Sequence, residues 1–168
     1  MAPFAAFSQN CWFVEWGERQ PLLLSQDNRA RLVYDQILAD TSGNWNILLI
    51  RLGGLQNNQR SIYLKSSGYQ VSAIKKDRMG HDSSFLLDSM LSNKLYSIVT
   101  KKDSINGFYA GDCDKVSAHE SELLVIKNHQ LNKWIEAYSA RGGLQEVLQG
   151  KKEYDYLLAI CEFINTVE

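Results

Sequence analysis

Residues 45–77, WNILLIRLGGLQNNQRSIYLKSSGYQVSAIKKD, are the stretch whose reading decides the fold. Three short runs rich in Ile, Leu, Val and Tyr, at 47–52, 61–65 and 69–75, are separated by the turn-forming clusters GGLQNNQ and SSG. This pattern predicts an antiparallel meander. Ser66-Ser67-Gly68 is the sharper turn, because glycine reaches the positive φ that a tight hairpin needs. The first run is apolar on both faces except at Arg51, as in a central strand covered from each side. Arg51 is then at a strand end or in a site. The other two runs alternate as half-buried strands do, Ile62 and Leu64 against Tyr63 and Lys65, and Val71 and Ala73 against Gln70 and Ser72.

Upstream, Cys11 to Trp16 is aromatic and β-prone, residues 17–21 turn, and Leu22-Leu23-Leu24 returns as the second strand of an opening hairpin. A helix over Asn28–Ala39 follows from Leu32, Val33, Ile37 and Leu38 at helical spacing. Downstream of a polar loop at 75–82, Asp82 or Ser83 caps a short helix carrying Phe85, Leu86, Leu87, Met90 and Leu91, and residues 95–99 read as one more strand. Residues 101–118 read as loop. From Ser121 the period turns helical through Leu123, Leu124, Ile126, Leu131, Trp134, Ile135 and Tyr138, ending at Arg141-Gly142-Gly143. An amphipathic turn at Leu144, Val147 and Leu148 precedes a last helix over 153–167. The expected fold is α+β, with an antiparallel or mixed sheet in the N-terminal half followed by a helical C-terminal half. One domain spans 1–168, with 1–100 mainly strands with one or two helices and 119–168 helical.

A chain of 168 residues, 45% hydrophobic and 22% charged, can bury a core without staples. Its net charge of −1 exerts no bulk attraction on nucleic acid or an anionic membrane. Cys11, Cys113 and Cys161 are odd in number and lack metal-ligand spacing, so neither a disulfide framework nor a zinc site is expected. The expected state is reduced thiols in the cytoplasm, with no metal and no cofactor. No signal peptide is read in residues 1–10, and no apolar run approaches the roughly 20 residues of a membrane span. No membrane partner is expected.

Four constellations bear on chemistry. Gln9-Asn10-Cys11-Trp12 is similar to the start of a papain-like cysteine protease, with His119 as the imidazole that lowers the thiol pKa; the alternative is a buried structural cysteine. His119-Glu120-Ser121-Glu122, with Arg51, resembles the paired-glutamate arrangement of ADP-ribosyltransferases; an acidic first turn of a helix explains the glutamates equally. Lys75, Lys76, Arg78, Lys101 and Lys102 form a basic rim or solvate loops. A non-catalytic interaction module, with the helical half as its surface, accounts for the chain without any of these.

The fourth is Tyr69, Tyr109 and Glu162. Ser67-Gly68-Tyr69-Gln70-Val71-Ser72, then Gly107-Phe108-Tyr109, then Ile126, Leu131, Trp134 and Ile135, and finally the helix LLAICEF at 157–163 follow one another as the active-site elements of ribosome-inactivating proteins do. Over residues 45–161 the chain resembles that family of rRNA N-glycosylases. The resemblance implies a hydrolase toxin acting on the ribosome and its rRNA, with Tyr69 and Tyr109 sandwiching an adenine out of its stack and Glu162 stabilising the oxocarbenium-like sugar. The slot needs roughly 7 Å between ring planes, two van der Waals contacts. Where the family has arginine, three residues beyond Glu162, this chain has Asn165, and the family's C-terminal lobe has no counterpart. These departures imply a weakened or inactive relative, a fold completed by a second chain, or an enzyme drawing on Glu168 and a cation from elsewhere.

Overall fold

The computed structural model describes residues 11–17, 28–53, 58–77, 79–113, 121–141 and 143–168. The strands are β1 (Cys11–Glu15), β2 (Trp45–Gly53), β3 (Asn58–Ser67), β4 (Gln70–Lys76), β5 (Asp82–Leu86), β6 (Gly107–Cys113), β7 (Ser121–Asn128) and β8 (Lys133–Ser139). The helices are α1 (Asn28–Ala39), α2 (Ser89–Val99), α3 (Leu144–Leu148) and α4 (Asp155–Val167), the last preceded by a 3-10 turn at Lys152–Tyr154. All the strands join one sheet in the order β1-β6-β8-β7-β2-β3-β4-β5. Every pairing is antiparallel except β6 with β8.

The meander forms as its pattern predicts, and β2 is the centre of the sheet. Ile47 and Leu49 face a core shared with α2, α3 and α4, whereas Leu48 and Ile50 face a second core under α1. Period-two alternation thus buries both faces of one strand. Each such side chain contributes roughly 1.5–3 kcal/mol. The C-terminal end of α1 is fastened to the sheet by Lys127, whose Nζ donates to the carbonyls of Leu38 at 3.2 Å and Asp40 at 2.8 Å, a cation at the negative end of the helix dipole.

The expected split into a sheet half and a helical half is overturned. The eight-stranded mixed sheet draws β6, β7 and β8 from the second half of the chain, and small helices are scattered between strands. Residues 121–139, expected to be helical, are the β7–β8 hairpin. Leu123 to Ile126 is a continuous apolar run because both its faces are covered, and such a run carries no period that separates helix from strand. Asn132, at φ 50°, makes the turn, and Asn128 Oδ1 accepts the Leu131 N–H at 3.0 Å.

The helix expected from residue 82 is strand β5, and the strand expected at 95–99 is the second half of α2. The true cap lies six residues further on: Asp88 Oδ1 accepts the Leu91 N–H at 2.8 Å, and Leu95 and Val99 then recur on the buried face. The loop expected over 101–118 contains β6; its residues 114–118 lie outside the described residues, as do Leu22-Leu23-Leu24 of the expected hairpin. β1 pairs with β6, and Cys11 is disulfide-bonded to Cys113 across that pair. The expectation of reduced thiols therefore fails for two of the three cysteines, because strand pairing brings together residues 102 apart in the chain. At Gly111 the same ladder packs so closely that an added Cβ would lie 2.7 Å from the Trp12 carbonyl and 2.5 Å from Val147.

Candidate functional site

Arg51 lies on the α3–α4 face at the end of β2, in register with Glu122 of β7 on one side and Arg60 of β3 on the other. Two arginines directly opposite in a sheet repel, so acceptors must surround them. Glu122 Oε1 accepts from Arg51 Nε at 2.6 Å, Asn165 Oδ1 accepts from Arg51 Nη2 at 2.6 Å, and the Glu168 carboxylate pairs with Arg51 Nη1. The other oxygen of Glu122 accepts the Leu144 N–H at 2.6 Å, fixing the start of α3, and Asn165 Nδ2 donates to Gln145.

The side chains of Arg51 and Glu122 are 8% and 9% exposed, whereas that of Glu168 is 25% exposed. An ion pair so nearly buried is costly to form unless its remaining hydrogen-bonding capacity is met, and here it is met by α3 and α4. A cavity of about 490 Å³ opens beside the guanidinium, walled by Arg60, Gln145, Glu146, Gln149 and Glu168. Cys161 lies at its apolar side, and burial pushes that thiol's pKa up, with the nearby Glu122 adding to the effect.

The second feature is the β5 edge. All five of its residues are exposed, and among the described residues no strand pairs with its outer side. The Leu87 N–H donates to the Val71 carbonyl at 2.9 Å and the Asp77 N–H to the His81 carbonyl at 3.1 Å. These two bonds mark the hydrogen-bonded pairs flanking the β4–β5 ladder. Since such pairs alternate, Ala73–Phe85 and Lys75–Ser83 are hydrogen-bonded while Ser72–Leu86, Ile74–Ser84 and Lys76–Asp82 are not. The backbone N–H and C=O groups of Asp82, Ser84 and Leu86 consequently point away from the sheet. Around them stand exposed apolar side chains: Leu86 at 60%, Ile74 at 37% and Phe85 at 36%.

The three residues of the N-glycosylase resemblance are not brought together. Tyr69 sits in the β3–β4 turn, 76% exposed, with its ring 5.6 Å from that of Tyr96. Tyr109 is buried in β6, stacked on Phe13 at 5.8 Å and edge-on to Tyr154, with its hydroxyl donating to the Asn106 carbonyl. Burial raises its pKa. β4 and β6 are five strand positions apart, roughly 24 Å at the usual interstrand spacing. A 7 Å slot cannot form between the two rings. Glu162 is exposed on α4, between the buried Cys161 and Phe163.

Cys11 is in its disulfide and offers no thiolate; His119 and Glu120 lie outside the described residues. Of the paired glutamates, Glu122 does meet Arg51, but from a buried strand position and not from the first turn of a helix. Arg51 was visible in the sequence as the lone charge in an apolar strand. Glu122 was named with it only through the paired-glutamate resemblance and not as a strand neighbour, because 121–138 read as helix. Compared with known families and with curated proteins, the chain matches no family model and no curated protein.

Proposed function

We propose that this domain works by binding, and that the β5 edge takes up an extended segment of a partner protein as an added strand. The observation that carries this reading is the outward row of backbone groups at Asp82, Ser84 and Leu86, flanked by Phe85, Leu86 and Ile74. Main-chain hydrogen bonds along such an edge supply affinity, and side chains on alternate faces supply specificity. β5 carries neither proline nor lysine, two of the devices that keep an edge from pairing. The occupant is accordingly an extended segment with apolar side chains at alternate positions. The interacting surface is thus a sheet edge and not the helices.

No helix among the described residues is long and apolar enough to cross a membrane. The Cys11–Cys113 bridge supports an oxidising working compartment over the cytoplasm, since glutathione and thioredoxin keep cytosolic thiols reduced.

Ser84→Pro tests the reading. The Ser84 N–H faces outward and makes no bond to β4, so proline at this edge position removes a donor for the partner and leaves the β4 pairing intact. Peptides selected from a displayed random library against the native domain should alternate apolar residues and lose at least tenfold in affinity against Ser84→Pro by fluorescence anisotropy. Amide shifts should cluster at Asp82, Ser84 and Leu86. Selected binders indifferent to Ser84→Pro, or a library that yields none, would overturn it.

A further inference from the structure

We infer that one occupant of the β5 edge is a second copy of this chain, paired β5 to β5 about a two-fold axis, so that the domain closes its own binding edge when concentrated; this rests on the edge accepting an added strand. An antiparallel ladder has two-fold symmetry, so an edge is complementary to itself in that direction. Charge and length select the register. An axis through Asp82 sets that carboxylate against its copy, and an axis through Phe85 sets Asp82 against Asp88 of the second copy, both like-charge pairs that destabilise a sheet. Axes through Ser83 or Leu86 run part of β5 past the end of its copy. An axis through Ser84, the middle of the five residues, opposes no like charges and pairs the whole strand: Asp82 faces Leu86 of the second copy, Ser83 faces Phe85 and Ser84 faces Ser84.

In that register the outward N–H and C=O groups of Asp82, Ser84 and Leu86 meet the outward groups of the copy, making about six main-chain hydrogen bonds. The side chains agree. Ser83 and Phe85 share a sheet face with Lys75, whose Nζ lies 5.0 Å from the centroid of the Phe85 ring. Across the small Ser83, the Phe85 ring of the second copy reaches the same ammonium from its other side. On the opposite face Leu86, exposed in the single chain, comes beside Asp82 of the copy and over the methylene stem of Lys76, which pairs with Asp82 at 3.5 Å. A five-residue ladder buries less than a standard interface, so the pair is weak, with a dissociation constant of roughly 10 µM to 1 mM. Below that range the edge is open to a partner segment, and above it the two compete for the same backbone groups.

Sedimentation equilibrium of the native domain from about 1 µM to 1 mM should show the mass rising from 19.1 kDa toward twice that value, with concentration-dependent amide shifts at β5, and Ser84→Pro should stay at 19.1 kDa throughout. Cross-linking reads the register. Opposed hydrogen-bonded residues have Cα atoms about 5.5 Å apart, within the span of a disulfide. Ser84→Cys treated with diamide should therefore form a covalent dimer at least tenfold faster than Asp82→Cys, which faces Leu86. A native domain monomeric at about 1 mM, a dimer that survives Ser84→Pro, or Asp82→Cys cross-linking as fast as Ser84→Cys would overturn the inference. Peptide anisotropy at submicromolar domain reads the partner segment separately. A monomeric domain that binds selected peptides through Ser84 refutes self-pairing alone, and a β5-paired dimer for which no peptide is selected refutes the partner segment alone.

Discussion

Breaking the Cys11–Cys113 bridge has a stability cost that follows from its place in the chain. The two residues are 102 apart, and cross-linking them removes loop-closure entropy from the unfolded chain worth about 4.7 kcal/mol in the chain-entropy treatment. A domain of this size is stable by roughly 5–15 kcal/mol, so the bridge amounts to a third or more of that margin. The double variant Cys11→Ala with Cys113→Ala removes the link without leaving a stray thiol. With a urea m-value of about 2 kcal/mol/M, its unfolding midpoint should fall by about 2 M. The m-value itself should rise, because the uncrosslinked denatured chain is more expanded. Thiol titration in denaturant without reductant should count one thiol, Cys161, out of three cysteines. Three titrating thiols, or a double variant as stable as the native protein, would refute the argument and would also remove the support for an oxidising compartment.

Two further outcomes follow from paired charges. Glu122→Ala leaves Arg51 without its most buried partner and the Leu144 N–H without its acceptor, and should cost about 3–5 kcal/mol in urea unfolding. Asp40 is pushed up by desolvation, but hydrogen bonds from Lys65, Ser42 and Tyr63 outweigh this and hold its carboxyl well below the usual carboxylate range. Its folded pKa is therefore lower than its unfolded one, near 3.9, so its contribution is complete above that value and is lost as pH falls through the folded pKa. Stability measured from pH 6 to pH 2 should fall less steeply in Asp40→Asn than in the native protein, and an unchanged slope would show that the Asp40 cluster does not contribute.

The reach of the sequence is clearest in residues 45–77. There turns are short, partners are adjacent in the chain, and alternation of apolar and polar residues specifies both strand and face, so β2, β3 and β4 were legible in advance. The helix at Asn28–Ala39, the short turn at 144–148 and the last helix were legible for the same local reason, a sustained helical period bounded by polar or glycine positions. Leu123-Leu124-Val125-Ile126 was not, because burial from both sides erases the period that separates helix from strand. β5 was missed because its five exposed residues carry little pattern and the Asp88 cap stands just beyond them.

Local sequence, then, determined the central meander and several helices, since their conformations depend on neighbours a few residues away. Tertiary structure alone decided which distant segments meet. Cys11 finds Cys113 only because β1 pairs with β6, Arg51 finds Glu122 only because β7 lies beside β2, and Tyr69 and Tyr109 stay apart because four strands, β8, β7, β2 and β3, lie between β6 and β4. Sheet order is set by how the apolar faces of all the strands and helices are covered together, a global balance of burial that no short stretch of residues records.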